Sequence, residues 1–257
     1  MYQGFYNLTS GMLTERRRLA TVSSNMANTE TAGYKKGTMV QSTFQDEMLL
    51  RTGRTAKKDP KPLGVTVSKI VTAKENVTDY SQGSFDETGN IFDFAINGDG
   101  FFNIETPGGV QYTRNGSFSV DQDGYLELTG IGRVLGTNGQ PIQIPNEDFT
   151  VDGNGNITTM SDGKEINCGT IRLTAFQNTA DLHHEDNGMY SAKSDGTLVN
   201  GQQGSELKWQ MLENSNVDMT EEMTTMMASQ RAFQSAAQLL KMYDQVMSKS
   251  STDVGRL

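Results

Sequence analysis

From Asp218 to Met247 the chain places a residue of one stripe at every fourth and then third position, and neither Gly nor Pro interrupts the stretch. The stripe runs Met219, Met223, Met226, Gln230, Phe233, Ala237, Leu240, Asp244, Met247. A 4-3 spacing held over about four heptads is the seam of a helix that packs along another helix. Asp218 can cap the free N–H groups of the first turn, and Glu221 stands three residues on, in the capping-box arrangement. At 1.5 Å per residue the stretch is a rod of roughly 45 Å, long for a domain of this size. An amphipathic helix lying on a globular core can share the pattern, so the other end of the chain has to decide between the two.

Residues 2–28 supply a second helix. Phe5, Leu8, Met12, Leu19, Val22 and Met26 fall on a matching seam, with Glu15 at its one polar position. Gly4 and Gly11 each weaken the helix by about 1 kcal/mol relative to Ala, so it is more stable with a partner than alone. Arg16, Arg17 and Arg18 belong at the margin of the seam or on an exposed face. A basic amphipathic helix can also lie on a membrane, but this stripe is narrow and poor in aromatic anchors. Asn25 and Asn28 suit a helix C-terminus, and Gly33 permits the turn with positive φ that follows. Because the first helix ends and the second begins at whatever lies between them, the two run antiparallel.

What lies between has a different period. Residues 37–75 hold none, and residues 52–64 (TGRTAKKDPKPLG) have the basic, Pro/Gly-punctuated composition of a linker or extended arm. Phe44, Met48, Leu49 and Leu50 suggest a short ordered piece before it. From Asp79 to Leu207 the alternation is two. Strands are expected over 91–96, 101–104, 110–113, 125–128 and 171–176. Six Asn-Gly and five Asp-Gly dipeptides between residues 97 and 201 are strong short-range hairpin signals. The body is therefore antiparallel β and the whole chain α+β.

Composition narrows the function. The formal net charge is −9, which disfavours nucleic acid as a partner. It divides into +5 over residues 1–64 and −14 over the rest. One cysteine, Cys168, cannot form an internal disulfide or a Cys-based metal cage. No apolar run approaches the roughly 18 residues of a membrane span. The N-terminus lacks the layout of a cleaved secretory signal, so the chain is expected either to stay in the cytoplasm or to leave by a route without one. Six of the fourteen methionines fall between Met219 and Met247, where a flexible side chain fills gaps and tolerates several packings of one seam.

Sites for chemistry are few. Asp152-Gly153-Asn154-Gly155-Asn156 opens like an EF-hand loop, but Ile157 and Gly163 stand where the geometry needs Gly and Glu. Gly130-x-Gly132 followed by Gly136 misses the dinucleotide spacing and opens no helix. His183 and His184 suggest a metal, yet neighbours on a strand point to opposite faces, so the pair reads as a polar turn. No Ser, Cys or Lys stands in a nucleophile motif.

Four stretches resemble one known family. Val22-Ser23-Ser24-Asn25-Met26-Ala27-Asn28-Thr29-Glu30-Thr31-Ala32-Gly33-Tyr34-Lys35 is similar to the N-terminal signature of the flagellar rod, hook and hook-associated axial proteins, departing at Ser23 and Ser24, where the family usually has Ala and Asn. Ser215-Asn216-Val217-Asp218, then Glu222, then Gln230-Arg231-Ala232-Phe233 resembles the family's ending. Two stretches within the β body, 94–102 (FAINGDGFF) and 112–118 (YTRNGSF), resemble its central motifs. The motif positions carried over are Asn25, Ala27, Asn28, Thr31, Gly33, Tyr34, Asn216, Val217, Asp218, Gln230 and Arg231.

The resemblance implies a structural subunit of the flagellar basal-body rod, of the proximal or distal type, since hook proteins of the family usually carry a further outer domain. It implies export through the flagellar type III apparatus and self-assembly into a helical tube that carries torque from motor to hook. The partners would be copies of itself, other axial proteins and the export apparatus, with no cofactor, no small-molecule substrate and no enzymatic activity. Residues 1–36 and 214–257 would form an antiparallel coiled-coil assembly domain, 37–78 an arm, and 79–213 the β body. A monomeric β-rich glycan-binding or hydrolytic protein with clamping helices is the competing reading. It would need a cleft with paired carboxylates, whereas most of the acidic residues lie in turn dipeptides.

Overall fold

The structure, a computed structural model, describes residues 2–43, 48–51, 61–65, 71–146, 148–161, 164–185, 188–194, 196–200 and 205–254. Its contacts separate two compact units: residues 1–26, 37–77 and 218–257 form one, and residues 27–36 and 78–217 the other.

The first unit holds α1 (Tyr2–Ala27), β1 (Gly37–Thr43), β2 (Met48–Arg51), β3 (Lys61–Val65), β4 (Val71–Thr78) and α2 (Met219–Val254). Asp218 caps α2, its carboxylate accepting the N–H groups of Thr220 at 2.8 Å and Glu221 at 3.2 Å. The helix then runs 36 residues, seven beyond the expected end, because nothing in SKSSTDV breaks it. Two contacts fix its direction against α1. Asn25 donates to Glu222 at 3.2 Å, and a Cβ placed on Gly4 would sit 3.7 Å from the Tyr243 ring. These anchor points are equally far apart on both helices, about 32 Å at helical rise. The two contacts thus run in opposite senses along α1 and α2.

The stretch expected to be an arm carries ladder pairing. β1 pairs with β4, and β2 pairs antiparallel with β3. It was hard to read because β2 and β3 are short and the basic, Pro-containing run falls between and into them. Phe44 and residues 52–60 lie outside the described residues. The Asn25 side chain brackets the start of β1, donating to the Gly37 carbonyl at 2.9 Å and accepting the Gly37 N–H at 3.0 Å. Residues 37–77 thus belong with the helices, whereas residues 27–36 belong with the body.

The second unit is the antiparallel β body. It contains β5 (Phe85–Glu87), β6 (Phe94–Asn97), β7 (Phe101–Thr106), β8 (Gly109–Thr113), β9 (Ser119–Val120), β10 (Leu126–Leu128) and β11 (Gly132–Val134). There follow β12 (Phe149–Val151), β13 (Asn156–Ser161), β14 (Lys164–Thr170), β15 (Leu173–Ala175), β16 (Leu182–His184), β17 (Tyr190–Ala192), β18 (Thr197–Leu198), β19 (Glu206–Trp209) and β20 (Met211–Glu213). The main sheet runs β16-β17-β8-β7-β11-β10-β9, and β15 joins it beside β7 with β18 on its outer side. β12, β13 and β14 make a separate three-stranded sheet, while β19 pairs with β6 and β20 with β5. Phe94, Ile96, Phe102, Ile104, Leu126 and Ile157 fill the core. All but Ile157 lie in stretches expected to be strands; Ile157 sits on β13, outside them.

Turn chemistry sets the corners. The carboxylate of Asp121 accepts the N–H groups of Asp123 and Tyr125, and that of Asp152 accepts those of Asn154 and Asn156. The apparent cation loop at Asp152 is thus a turn that satisfies itself. Among the described residues one non-glycine, Gln210, adopts the left-handed region, at φ 59° between β19 and β20. Its N–H donates to the Asp93 carbonyl at 2.9 Å, and its own carbonyl accepts from Thr88 and Gly89. The surrounding bonds hold a conformation disfavoured by about 1–2 kcal/mol. Gln210→Gly should raise the melting temperature by roughly 2 °C, the strain relieved exceeding the added freedom of the unfolded chain. A lowered transition in a calorimetric scan would show that the Gln210 side chain itself stabilises the turn.

Candidate functional site where the chain enters and leaves the body

Three stretches of the β body are tied together next to points where the chain passes to or from the helical unit. They are residues 33–36, 79–84 and 213–216, and the passages fall at 36/37, 77/78 and 217/218. The Gly33 N–H donates to the Glu213 carbonyl at 2.7 Å. The Lys36 N–H donates to the Asn216 side-chain oxygen at 2.7 Å, and the Asp79 N–H to the Lys36 carbonyl at 2.8 Å. The Asn216 amide nitrogen in turn donates to the carbonyls of Asp79 and Ser81 at 2.9 and 3.2 Å. An amide supplies donor and acceptor on one side chain, so Asn216 can bridge the other two stretches at once.

Beneath these bonds lies a buried ion cluster. Lys35 Nζ sits 2.5 Å from one Glu213 oxygen, and Arg114 Nη1 3.2 Å from the other. The Lys35 and Glu213 side chains are fully buried, and 4% of the Arg114 side chain is exposed. Lys35 also donates to the Ser81 carbonyl at 2.8 Å, Arg114 to the Gly98 carbonyl at 2.9 Å, and the Gly83 N–H to Glu213 at 3.1 Å. Burial draws the Lys35 ammonium below its ordinary value, and the Glu213 carboxylate works against that shift. The Arg114 guanidinium lies over the Phe101 ring at 5.2 Å. Phe101 packs on Tyr80, Tyr190 and Phe176. Burial pushes the Tyr190 phenol well above its usual range.

Two buried cations with one carboxylate, all hydrogen-bonded, position chain segments; they offer no open face to a substrate. Among the described residues no group of three or more His, Cys, Asp or Glu side chains is placed to hold a metal ion. His183 and His184 lie on β16 rather than in a turn, and the His184 ring meets Tyr34 and Tyr190 edge-on.

The motif residues divide between two places. Gly33, Tyr34 and Asn216 lie in or beside the tied stretches, with Val217 buried next to them. Asn28 and Thr31 bond each other across the turn after α1. In the helical unit Asn25 meets Glu222 and Asp218 caps α2, while Gln230 and Arg231 are exposed, as is Ala27 at the start of the body's share of the chain. On α1, Val22 is buried and Phe5, Leu8, Met12, Leu19 and Met26 are half-buried. On α2, Met226, Phe233, Ala237, Leu240 and Met247 are half-buried, whereas Met219 and Met223 are exposed.

The sheltered line on α2 is Glu222, Met226, Ser229, Phe233, Ala236, Leu240, Tyr243 and Met247. It shares every second position with the stripe read from the sequence and shifts the others back by one residue. Gln230 and Asp244, polar members of the sequence stripe, were the available signal of that shift. Sequence reasoning missed the roles of Glu213 and Arg114, although Arg114 sits inside a quoted motif and Glu213 stands two residues before another.

An antiparallel β body that spends its buried charges on tying its own chain segments together, with a long helix before it and another after it in sequence, has the organisation of a structural protein. Comparison with known proteins gives the family. Residues 5–35 match the model for flagella basal body rod protein, residues 95–159 that for the flagellar hook protein FlgE/F/G D1 domain, and residues 210–253 that for the flagellar basal body rod FlgEFG protein C-terminal region. The chain is 33% identical to the flagellar basal-body rod protein FlgG of Bacillus subtilis, over 96% of this chain and 97% of that one. It is 30% identical to the flagellar basal-body rod protein FlgF of Caulobacter vibrioides, over 100% and 98%. It is also 28% identical to the flagellar hook-basal body complex protein FlhO of B. subtilis over the full length of both. The chain belongs to the flagellar basal-body rod protein family, and it is a structural subunit of the flagellar basal body. No helix among the described residues is long and apolar enough to cross a membrane.

Proposed function

We propose that this subunit leaves the cytoplasm through the flagellar type III apparatus and assembles with its own copies and other axial proteins into a tube that carries torque from motor to hook. α1 and α2 act as the assembly domain, paired as an antiparallel coiled coil whose remaining apolar surface is covered by neighbours. The observation that carries this reading is the surface of the helices. Tyr6, Leu13, Met219, Met223, Met227, Leu239, Met242 and Val246 are all exposed in the single chain. So many large apolar side chains on two helices are the signature of a surface meant to be covered. The half-buried residues Met226, Phe233, Leu240 and Met247, with Leu8, Met12, Leu19 and Met26 opposite, form the seam that assembly closes.

Leu240→Asp tests this. A carboxylate buried without a partner costs several kcal/mol, and in an assembly the cost recurs at each copy. The variant should fail to restore motility to a strain lacking the subunit, while the β body of the purified protein melts as in wild type. Lys241→Asp, one residue along and exposed, should restore motility nearly in full. A melting temperature of the body lowered in step with motility would place Leu240 in a globular core and remove the assembly reading.

A further inference from the structure

The Asn-Gly dipeptides that mark the turns also carry latent backbone chemistry. A glycine has no side chain to hinder its amide nitrogen as it approaches the preceding side-chain carbonyl. Whether that approach happens depends on what holds the two groups. In four of the five Asn-Gly pairs whose Asn is described, the asparagine amide is held. Asn115 accepts the Ser117 N–H, and Asn138 accepts that of Gln140 while Gly139 donates to Gly136. The Asn154 side chain bonds Asp152, and the Gly155 N–H donates to the Asp152 carbonyl at 2.9 Å. Asn200 accepts from Leu173 and donates to the carbonyls of Ile171 and Asn154.

Asn97-Gly98 differs. The half-buried Asn97 side chain makes no hydrogen bond to the described residues, and among them the Gly98 nitrogen is held only by the side chain of Gln82, at 3.2 Å. Gln82 is exposed, and its amide nitrogen also donates to the Ile96 carbonyl at 2.5 Å. Among the described residues a long surface side chain is thus the one restraint on the nucleophile.

We infer that Asn97 is a site of non-enzymatic deamidation in the folded protein and that Gln82 acts as its brake. The Gly98 nitrogen attacks Cγ of Asn97, forming the N–Cγ bond of a succinimide. The Cγ–Nδ2 bond breaks, and Nδ2 departs as ammonia with the proton shed by Gly98. Water then opens the ring at either carbonyl, its hydroxyl going to carbon and its proton to nitrogen, to leave Asp or isoAsp at position 97. Either product sets a carboxylate directly opposite Glu206, the register partner of Asn97 across β6 and β19, and like charges so placed repel. IsoAsp also inserts an extra backbone atom before Gly98, whose carbonyl anchors Arg114 of the buried ion cluster.

The test holds the folded full-length chain in mildly alkaline buffer at physiological temperature and follows each Asn-Gly peptide by mass spectrometry, with isoaspartyl methyltransferase labelling to count isoAsp. Among residues 97, 115, 138, 154 and 200, Asn97 should convert first. Gln82→Ala should raise its rate about fivefold, the factor set by one net hydrogen bond of ordinary strength. Asn97→Gln, whose ring closure is less favourable, should abolish the signal. An earlier conversion at any of the other four positions overturns the assignment, because the wild-type ranking does not depend on any variant folding. An unchanged rate in a Gln82→Ala protein that melts like wild type overturns the brake.

Discussion

Glu213→Gln is expected to lower the stability of the β body by about 3–5 kcal/mol, the usual result of removing one partner from a buried ion pair. Its melting temperature should fall on the order of 10 °C. The size follows from the count of charges. Lys35 and Arg114 share one carboxylate in a place where none of the three is more than marginally exposed. Gln keeps the volume but turns an N–H₂ group towards one of the two cations, so a donor faces a donor and both positive charges stay uncompensated. Lys35→Met should cost much less, because it leaves a one-to-one pair of Arg114 and Glu213. That ordering separates a buried charge cluster from simple packing, which would make the larger change in shape the worse one.

Glu213→Gln should also respond to pH in a defined direction. The folded Lys35 already lies below its ordinary value of 10.5 through burial, with Glu213 opposing the shift. Without Glu213 the depression deepens. In the window between the lowered folded value and 10.5 the unfolded state binds more protons, so stability rises with pH there. The deficit of the variant, measured by urea titration, should therefore shrink as the pH approaches 10.5. A deficit that grows with pH over the same range would mean that Lys35 is not the group left stranded.

The terminal helices and the β character of the body were legible because each rests on local periodicity. α1 and α2 repeat at helical spacing, and short apolar runs of the body such as 101–104 are bounded by Asn-Gly and Asp-Gly turns. The line of α2 that is sheltered within the single chain was only half legible, because Met, Ala and Ser are near-equivalent on a helix flank. Met219 and Met223 look as apolar in the sequence as Met226, yet the structure leaves them exposed. Two of the tied stretches overlapped motifs, whereas 79–84 carried none, and nothing showed that the three form a cluster. Lys35, Arg114 and Glu213 are far apart in sequence, and nothing local says that a Lys, an Arg and a Glu will share one buried place. The strands between residues 37 and 78 escaped because a two-stranded ladder needs no long alternation. Their composition, with Lys, Pro and Gly at intervals, is also that of a linker.

Gly33→Ala is expected to rank with Glu213→Gln, at about 3–5 kcal/mol, among the severe single substitutions. Gly33 has φ +70°, and a Cβ there would lie 2.3 Å from the carbonyl carbon of Arg114 and 2.4 Å from the nitrogen of Asn115. These are backbone atoms, so no rotamer change can make room. Only displacing residues 114 and 115 or residue 33 relieves the clash. The first carries Arg114 away from Glu213, and the second breaks the 2.7 Å bond from the Gly33 N–H to the Glu213 carbonyl. Gly89→Ala is the matched control, since it has the same φ of +70° with open space around the added carbon. It should show the left-handed strain alone, about 1–2 kcal/mol. Because Gly33→Ala and Glu213→Gln damage the same cluster, the double variant should lose clearly less than the two single losses combined. Chemical denaturation of the four proteins decides it. Equal losses for Gly33→Ala and Gly89→Ala would mean that the close approach to Arg114 carries no energetic weight, and strict additivity in the double variant would mean that the two sites act independently.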